Sequence, residues 1–217
     1  MLDKKHLQNF GLQFITHSPV ARECVEQAEA VLRGGCLWVQ LRMKDADADT
    51  LIDTAKRIAP MCKDAGATFI VDDNIDACLA ANADGVHLGK NDTHPSVARQ
   101  MLGANKIIGG TCNTAEDVIS IAPYVDYVGC GPFKFTTTKK NLSPVLGLDG
   151  YRNLTWQVRS NGVNVPIVAI GGITVADIDD ILSCGPNGIA LSGEIIRSAD
   201  MTQKTAEIID KINRHNK

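Results

Sequence analysis

The chain repeats one pattern eight times: a short apolar segment is followed by a longer segment with apolar residues three and four apart. The first kind is typical of buried strands, and the second is typical of helices that pack one face on a core. The strand candidates are 12–16, 37–42, 68–71, 85–89, 106–111, 127–132, 166–173 and 188–196. Eight strands alternating with helices predict an α/β protein, a (β/α)8 TIM barrel.

No linker or shift in composition divides the sequence, so we expect residues 1–217 to form a single TIM-barrel domain. A doubly wound open sheet is the alternative architecture. Eight consecutive strand–helix units, and a first turn without the pattern GxGxxG, weigh against it.

The composition limits the classes of partner that we expect the chain to bind. With 22 basic and 25 acidic residues and a net charge of −3, the chain offers no basic surface for nucleic acid or for an anionic membrane. No apolar run approaches the roughly 20 residues of a membrane span, and the first residues lack the apolar core of a secretion signal. Seven cysteines without a CxxC pair suggest reduced, packed thiols and a cytoplasmic protein. A homo-oligomer is compatible with this composition.

Acidic residues follow two consecutive strand candidates. Asp72 and Asp73 come after the third, and Asp92 comes after the fourth. Parallel strands joined by helices end on the same rim, and carboxylates without a Cys or His cluster suit Mg²⁺. The alternative is that Asp72 or Asp73 caps the next helix.

Polar residues also end the second strand candidate, where Gln40, Arg42 and Lys44 alternate with apolar residues and so point to one side. Burying such groups is costly unless they meet a ligand or an acid. We interpret them as a clamp for an anionic group, with an interior ion pair, for example to Asp73, as the alternative.

Further groups suited to phosphate follow the later strands. Thr111 and Asn113 end the fifth strand, although they also fit turn and cap positions. Residues 133–148 lack periodicity, as lids often do, and form either an anion cradle or a solvated polar loop. The cradle candidates are Thr136, Thr137, Thr138, Lys139 and Lys140, and the phosphate candidates after strands seven and eight are Gly171, Gly172, Ser192 and Gly193. This layout suits a diphosphate substrate with Mg²⁺, joined to a phosphorylated partner.

Five blocks together resemble the thiamine phosphate synthase (thiamine-phosphate pyrophosphorylase) family, in the same order and over nearly the whole chain: QLRMK, VDDN…ADGVHLGKND, GPFKFTTTKK, VAIGGI and GIALSGEII. The resemblance implies a transferase of thiamine biosynthesis. It would join 4-amino-2-methyl-5-pyrimidinylmethyl diphosphate to 4-methyl-5-(2-phosphoethyl)thiazole, giving thiamine phosphate and pyrophosphate, with Mg²⁺ as cofactor.

The resemblance also implies residue roles. Arg42, Lys44 and Lys139 would be catalytic, and Asp73 and Asp92 would hold Mg²⁺. The pyrimidine and its diphosphate would be bound by Gln40, Arg42 and Lys44, and the pyrophosphate by Thr111 and Lys139. The thiazole phosphate would be bound by Thr136, Thr138, Gly171 or Gly172, Ser192 and Gly193.

The sequence departs from the family pattern at several positions. Asp72, assigned to the substrate site, stands where the family usually has Asn, and its extra charge either helps to hold a metal or weakens the pyrophosphate contact. The other departures are Thr111 for Ser, Asn113 for His, Lys90 and Asn91 for Gln-Glu, Phe135 for Pro, and a serine one place early at Ser192. Two alternatives stay open: a thiazole tautomerase-like isomerase, and a non-catalytic binding protein of the thiamine pathway.

Overall fold

A computed structural model describes residues 11–18, 21–135 and 144–215. Eight parallel strands form a closed barrel in sequence order, and the last strand pairs with the first. The predicted fold class is therefore confirmed, while the single-domain assignment of residues 1–217 stays a prediction. The strands are β1 (Leu12–Ile15), β2 (Trp38–Leu41), β3 (Thr68–Asp72), β4 (Gly85–Leu88), β5 (Ile107–Cys112), β6 (Tyr127–Cys130), β7 (Ile167–Ile170) and β8 (Gly188–Leu191).

Helices connect the strands and cover the outside of the barrel. They are α1 (Ala21–Arg33), α2 (Ala48–Asp64), α3 (Ile75–Ala80), α4 (Pro95–Leu102), α5 (Ala115–Ile121), α6 (Gly147–Ser160), α7 (Ile178–Leu182), α8 (Gly193–Ile196) and α9 (Met201–His215). A 3₁₀ turn at Val175–Asp177 precedes α7.

The eighth strand is shorter than predicted. It ends at Leu191 instead of continuing to residue 196, and the last four of those residues form α8. The reason is local: the Ser192 carbonyl accepts hydrogen bonds from the N–H groups of Ile195 and Ile196, both at 3.0 Å, which closes a helical turn. Apolar residues alone did not reveal this change from strand to helix.

Side chains alternate between two apolar regions along each strand. The larger region lies between the strands and the helices, and the smaller one fills the inside of the barrel with residues such as Trp38, Ile70 and Tyr127. Two residues beyond Trp38 and Ile70, on the same faces of their strands, come Gln40 and Asp72. The interior therefore turns from apolar to polar toward the carboxyl ends of the strands.

At the opposite end of the barrel, carboxylates before two strands make hydrogen bonds to neighbouring strands. Asp84, which precedes β4, accepts from the N–H of Phe69 at 2.8 Å, and Asp126, which precedes β6, accepts from the N–H of Ile108 at 2.9 Å. Each carboxylate ties the start of one strand to its neighbour. This leaves the carboxyl-end rim as the place for chemistry, as in other barrels of this kind.

All seven cysteines are free and buried, in agreement with the prediction of packed thiols. Within the part of the chain that the structure describes, no helix is both long and apolar enough to cross a membrane.

Candidate active site

Gln40, Arg42 and Asp72 form a connected group where β2 and β3 end. Gln40 Nε2 donates to Asp72 Oδ1 at 2.5 Å, and Arg42 Nε lies 3.3 Å from Asp72 Oδ2. Gln40 is only 2% exposed. The interior ion pair considered from the sequence thus exists, with Asp72 rather than Asp73 in contact with the guanidinium. The backbone of Arg42 is fixed by the residue that follows β1, because its N–H donates to Thr16 Oγ1 at 2.9 Å.

Asp72 is a buried carboxyl group whose pKa is shifted in opposite directions by its neighbours. Burial and the charge of Asp73 raise its pKa to about 8, while the Arg42 guanidinium and the hydrogen bond from Gln40 act in the other direction. Both of its oxygens face donors, an arrangement that a carboxylate satisfies and a protonated acid does not.

Asp73 leaves the strand in a left-handed conformation, with φ at 61°, which Asp tolerates better than most residues. Its N–H donates to the His87 carbonyl of β4 at 2.7 Å, so the turn is fixed from the neighbouring strand. The helix cap that the sequence allowed for Asp72 or Asp73 is made by Asn74, whose side chain accepts from the N–H of Ala77 at 2.8 Å. Asp73 is therefore not used as a cap.

Asp92 approaches Asp73 across the turn that follows β4. Its Oδ2 accepts from the N–H of Gly89 at 2.7 Å. A Cβ placed on Gly89 would lie 2.7 Å from Asp92 Oδ2 and 3.8 Å from Asp73 Oδ1, so both carboxyl groups flank this glycine. Burial, followed by a hydrogen bond and like charge from Asp92, raises the pKa of Asp73 to about 6, which Arg42 and Lys44 oppose.

This donor set fits one hard cation. In residues 11–18, 21–135 and 144–215, no three His, Cys, Asp or Glu side chains converge, so a metal held here would have a carboxylate pair. Mg²⁺ suits such a pair, because it usually keeps several waters and takes its remaining ligands from substrate phosphates. Two close carboxyl groups also repel each other when ionised, and a divalent cation between them removes that repulsion.

His87 lies inside the barrel and was not selected from the sequence. Its Nδ1 is 3.0 Å from the Tyr127 hydroxyl, and its Nε2 is 3.0 Å from Thr111 Oγ1. Gln13 Nε2 donates to the same Tyr127 hydroxyl at 3.0 Å. The segment GVHLG did contain a signal for it. Val86 and Leu88, on either side of the histidine, are apolar and lie on one face of the strand, so His87 lies on the other, inner face. The predicted site residue Thr111 is thus tied to a buried polar chain.

Asn113 follows the alternative considered for it. Its Nδ2 donates to the Gly131 carbonyl at 2.5 Å, and its N–H donates to Asp117, which with Thr114 forms the capping box of α5. It holds the turn after β5, and the hydrogen bonds that the structure shows for it are structural.

The phosphate candidates after β7 and β8 lie on the other side of the rim. Gly171 and Gly172 both have positive φ, 96° and 70°. A Cβ on Gly172 would come within 2.8 Å of the Lys134 carbonyl, so this turn is packed tightly against the chain after β6. The Ser192 hydroxyl is buried without a hydrogen-bond partner among the described residues, and Gly193 begins α8 beside it.

The remaining predicted residues, Thr136, Thr138 and Lys139, with Thr137 and Lys140, lie outside the described residues. The two ends of their segment are fixed next to the rim. Lys134 N–H donates to the Gly171 carbonyl at 2.9 Å, and Leu146 N–H donates to the Pro132 carbonyl at 2.9 Å. The chain therefore leaves the described structure beside the turn after β7 and re-enters it beside Pro132, just after β6.

Comparison with known proteins gives one consistent result. The family model described as thiamine monophosphate synthase matches residues 12–195. The thiamine-phosphate synthase of Phocaeicola vulgatus is 50% identical over 92% of this chain and 96% of its own length. The enzyme of that name from Bacteroides fragilis is 49% identical over 92% of this chain and 98% of its own length.

Solved structures agree. A thiamine phosphate pyrophosphorylase from Pyrococcus furiosus superposes with a TM-score of 0.84 at 30% identity, covering 95% of this chain and 97% of that one. A 3-hexulose-6-phosphate synthase, with a TM-score of 0.68 at 17% identity over 93% of this chain and 99% of that one, shares the fold alone.

Proposed function

This chain belongs to the thiamine monophosphate synthase family, and on that premise we propose that it joins 4-amino-2-methyl-5-pyrimidinylmethyl diphosphate to 4-methyl-5-(2-phosphoethyl)thiazole, releasing pyrophosphate. The observation that carries the proposal is that acidic and basic side chains lie together at the mouth of the barrel. The carboxyl groups of Asp73 and Asp92 flank Gly89, and the cations of Arg42 and Lys44 act on Asp73. In this arrangement the carboxylates can bind a metal ion, and the cations can bind the diphosphate that the metal carries.

Asp73 and Asp92 would hold Mg²⁺. When bound, the ion supplies positive charge to the oxygens of the leaving pyrophosphate. Asp92 is fixed by its hydrogen bond from Gly89, and Asp73 by its left-handed turn, so neither carboxylate needs to reorganise during the reaction. Preorganised charge of this kind is usually the largest single contribution to catalysis.

Arg42, Lys44 and Lys139 complete the clamp in this proposal. Arg42 is braced by Asp72, and Lys44 is exposed in the turn after β2, from where its charge reaches Asp73. Lys139 belongs to the segment outside the described residues, whose ends lie beside the rim. Thr111 would add a hydroxyl contact to the pyrophosphate, with its side chain oriented by His87.

The thiazole phosphate would bind on the other side of the rim, at the turns after β7 and β8. The Ser192 hydroxyl supports this, because it is buried without a partner among the described residues and could donate a hydrogen bond to a phosphate oxygen. Gly171 and Gly172 allow backbone N–H groups to approach the anion. Thr136 and Thr138 are assigned to the same phosphate, and Gly193 lies next to Ser192.

No protein nucleophile is needed. The amino-pyrimidine stabilises a cation at its exocyclic methylene, so the C–O bond breaks ahead of attack by the thiazole nitrogen. The thiols do not suggest a covalent route: burial raises the pKa of Cys36 to about 11 and that of Cys62 to about 12, so both stay protonated at neutral pH. A cytoplasmic location is part of the proposal, supported by the seven unpaired cysteines.

The test is to incubate the protein with both substrates and Mg²⁺ and to measure pyrophosphate and thiamine phosphate. Formation of both in equal amounts, abolished by a chelator, is the expected result. Isomerisation of the thiazole phosphate without pyrophosphate would instead identify a tautomerase-like enzyme. Binding of the thiazole phosphate without any turnover would identify a binding protein. Either of these results contradicts the proposal.

A further inference from the structure

Four polar side chains form a continuous line inside the barrel that ends at its mouth. They are Gln13, Tyr127, His87 and Thr111, in that order, and together they are called the polar chain. We propose that the first three are positioning residues that turn the Thr111 hydroxyl proton toward the mouth, where an oxygen of the leaving pyrophosphate accepts the hydrogen bond. This inference rests on the proposed function, and it deepens that function by giving the Thr111 hydroxyl a fixed direction.

The polar chain becomes more accessible toward the rim. Gln13 is 2% exposed and Tyr127 is fully buried, while His87 is 9% exposed and Thr111, near the end of β5, is half-buried. Within the part of the chain that the structure describes, the Thr111 hydroxyl makes one hydrogen bond, to His87. Its oxygen is therefore bonded on the inner side, and its other hydrogen-bonding position is left for a ligand at the mouth.

Two glycines make room for the His87 ring and limit its movement. A Cβ on Gly109 would lie 2.5 Å from both His87 Nδ1 and the Tyr127 hydroxyl oxygen, so the hydrogen bond between these groups passes directly over this glycine. A Cβ on Gly129 would lie 3.2 Å from His87 Cε1. Because the ring is packed closely against both strands, its two nitrogens stay directed at Tyr127 and Thr111.

The number of available protons sets the direction of each hydrogen bond. The Tyr127 oxygen accepts from Gln13 Nε2 at 3.0 Å, and its other hydrogen-bond partner among the described residues is His87 Nδ1, also at 3.0 Å. A phenol has one proton to donate, and in a fully buried residue that proton needs an acceptor. His87 Nδ1 is that acceptor, so the ring proton lies on Nε2 and is donated to Thr111 Oγ1.

The opposite tautomer leaves a buried proton unpaired. If His87 carried its proton on Nδ1, Tyr127 would receive two hydrogen bonds, and its own proton would have no acceptor among the described residues. Thr111 would then donate to His87 Nε2 and present only lone pairs to an anion. In the favoured direction Thr111 accepts from His87 and keeps its proton for the mouth. A donor fixed in advance in this way is what stabilises charge that develops on a leaving group.

The first measurement is the tautomer of His87 in the protein without ligands, obtained from the ¹⁵N chemical shifts of the ring at neutral pH. The chain has five histidines, and the resonances are assigned through variants of the other four. We expect a neutral ring with its proton on Nε2. A proton on Nδ1, or on both nitrogens, overturns the proposal.

The second measurement is the affinity for pyrophosphate in the presence of Mg²⁺, by calorimetry. His87→Leu should weaken binding roughly fivefold to tenfold, because the Thr111 hydroxyl loses the donor that fixes it. In a Thr111→Val protein, which has no hydroxyl to orient, the same substitution should change the affinity by less than about twofold. Equal losses in the two backgrounds would mean that His87 acts through the fold alone, and they would overturn the proposal.

A matched control and a second readout keep the test specific. His215→Leu replaces a histidine at the end of α9, which lies 3.8 Å from Asp179 on the outside of the barrel, and should leave the affinity for pyrophosphate unchanged. If His87→Leu does not fold, the ring nitrogens of the wild-type protein decide, because their tautomer is measured without that variant.

The failure of this inference differs from the failure of the proposed function. A protein that forms thiamine phosphate but carries the His87 proton on Nδ1, or shows equal losses in the two backgrounds, disproves the positioning role alone. A wild-type protein that does not bind pyrophosphate with Mg²⁺ and forms no thiamine phosphate disproves both.

Discussion

Asp73 and Asp92 come from the ends of two neighbouring strands, and their carboxyl groups flank the same residue, Gly89, at the mouth of the barrel. The backbone fixes each of them in a different way: Asp73 lies in a left-handed turn, and the Asp92 carboxylate accepts a hydrogen bond from the Gly89 N–H. In the proposed mechanism this arrangement receives one divalent cation, and Arg42 and Lys44 face the anion that the cation carries. The following predictions test these assignments separately.

Arg42→Ala should lower kcat by about a hundredfold to a thousandfold, because it removes a preorganised positive charge at the leaving pyrophosphate. Steady-state rates with both substrates and saturating Mg²⁺ measure the effect. Arg57→Ala, on the exposed face of α2, is the matched control and should keep wild-type rates. Near-normal turnover of a folded Arg42→Ala protein would rule out the clamp.

Asp92→Asn should raise the Mg²⁺ concentration for half-maximal activity by roughly tenfold to a hundredfold, since contacts of charged groups are worth about 1.5–3 kcal/mol each. The asparagine oxygen still accepts from Gly89, so the turn should survive. A Mg²⁺ titration at fixed substrate gives the value, and Asp64→Asn, exposed near the end of α2, serves as the control. An unchanged Mg²⁺ requirement would remove Asp92 from the metal site.

Gly172→Ala should raise KM for the thiazole phosphate about tenfold or more, because its Cβ would press on the Lys134 carbonyl at 2.8 Å and shift the turn by the few tenths of an ångström that misplace a ligand. Gly162→Ala is a close control. Its φ is also positive, 73° against 70°, but nothing lies within 4 Å of its added Cβ. KM for each substrate separates the two effects: if both variants raise KM for the thiazole phosphate equally, the turn after β7 is not its site.

Tyr127→Phe should lower the free energy of unfolding by about 1–3 kcal/mol, because it leaves the buried polar groups of Gln13 and His87 without the hydroxyl between them. Urea denaturation measures the change. Tyr124→Phe alters a ring that is 38% exposed and should change stability little. Equal stability of the two variants would mean that the interior polar chain does not depend on this hydroxyl.

The sequence allowed the architecture and much of the rim to be predicted, because strand alternation is local information. Trp38 and Gln40 share one face of β2 whatever the rest of the chain does. Which carboxylate meets Arg42 depends instead on the pairing of β2 with β3 and on the left-handed turn at Asp73, and neither leaves a clear mark in sequence. His87 was missed for a related reason, since its partners Thr111 and Tyr127 come from two other strands.

The end of β8 shows a different limit. Residues 188–196 are an apolar run interrupted by Ser192, Gly193 and Glu194, and apolar content suits a buried strand and a short helix equally. The backbone hydrogen bonds to the Ser192 carbonyl decide in favour of the helix.

A crystal structure with Mg²⁺ and pyrophosphate bound tests the central assignment most directly. We expect one Mg²⁺ to bridge the carboxylates of Asp73 and Asp92, with the pyrophosphate on the ion and in hydrogen-bonding contact with the Arg42 guanidinium. A metal bound elsewhere, or a pyrophosphate out of reach of Arg42 while the metal occupies the carboxylate pair, would contradict it.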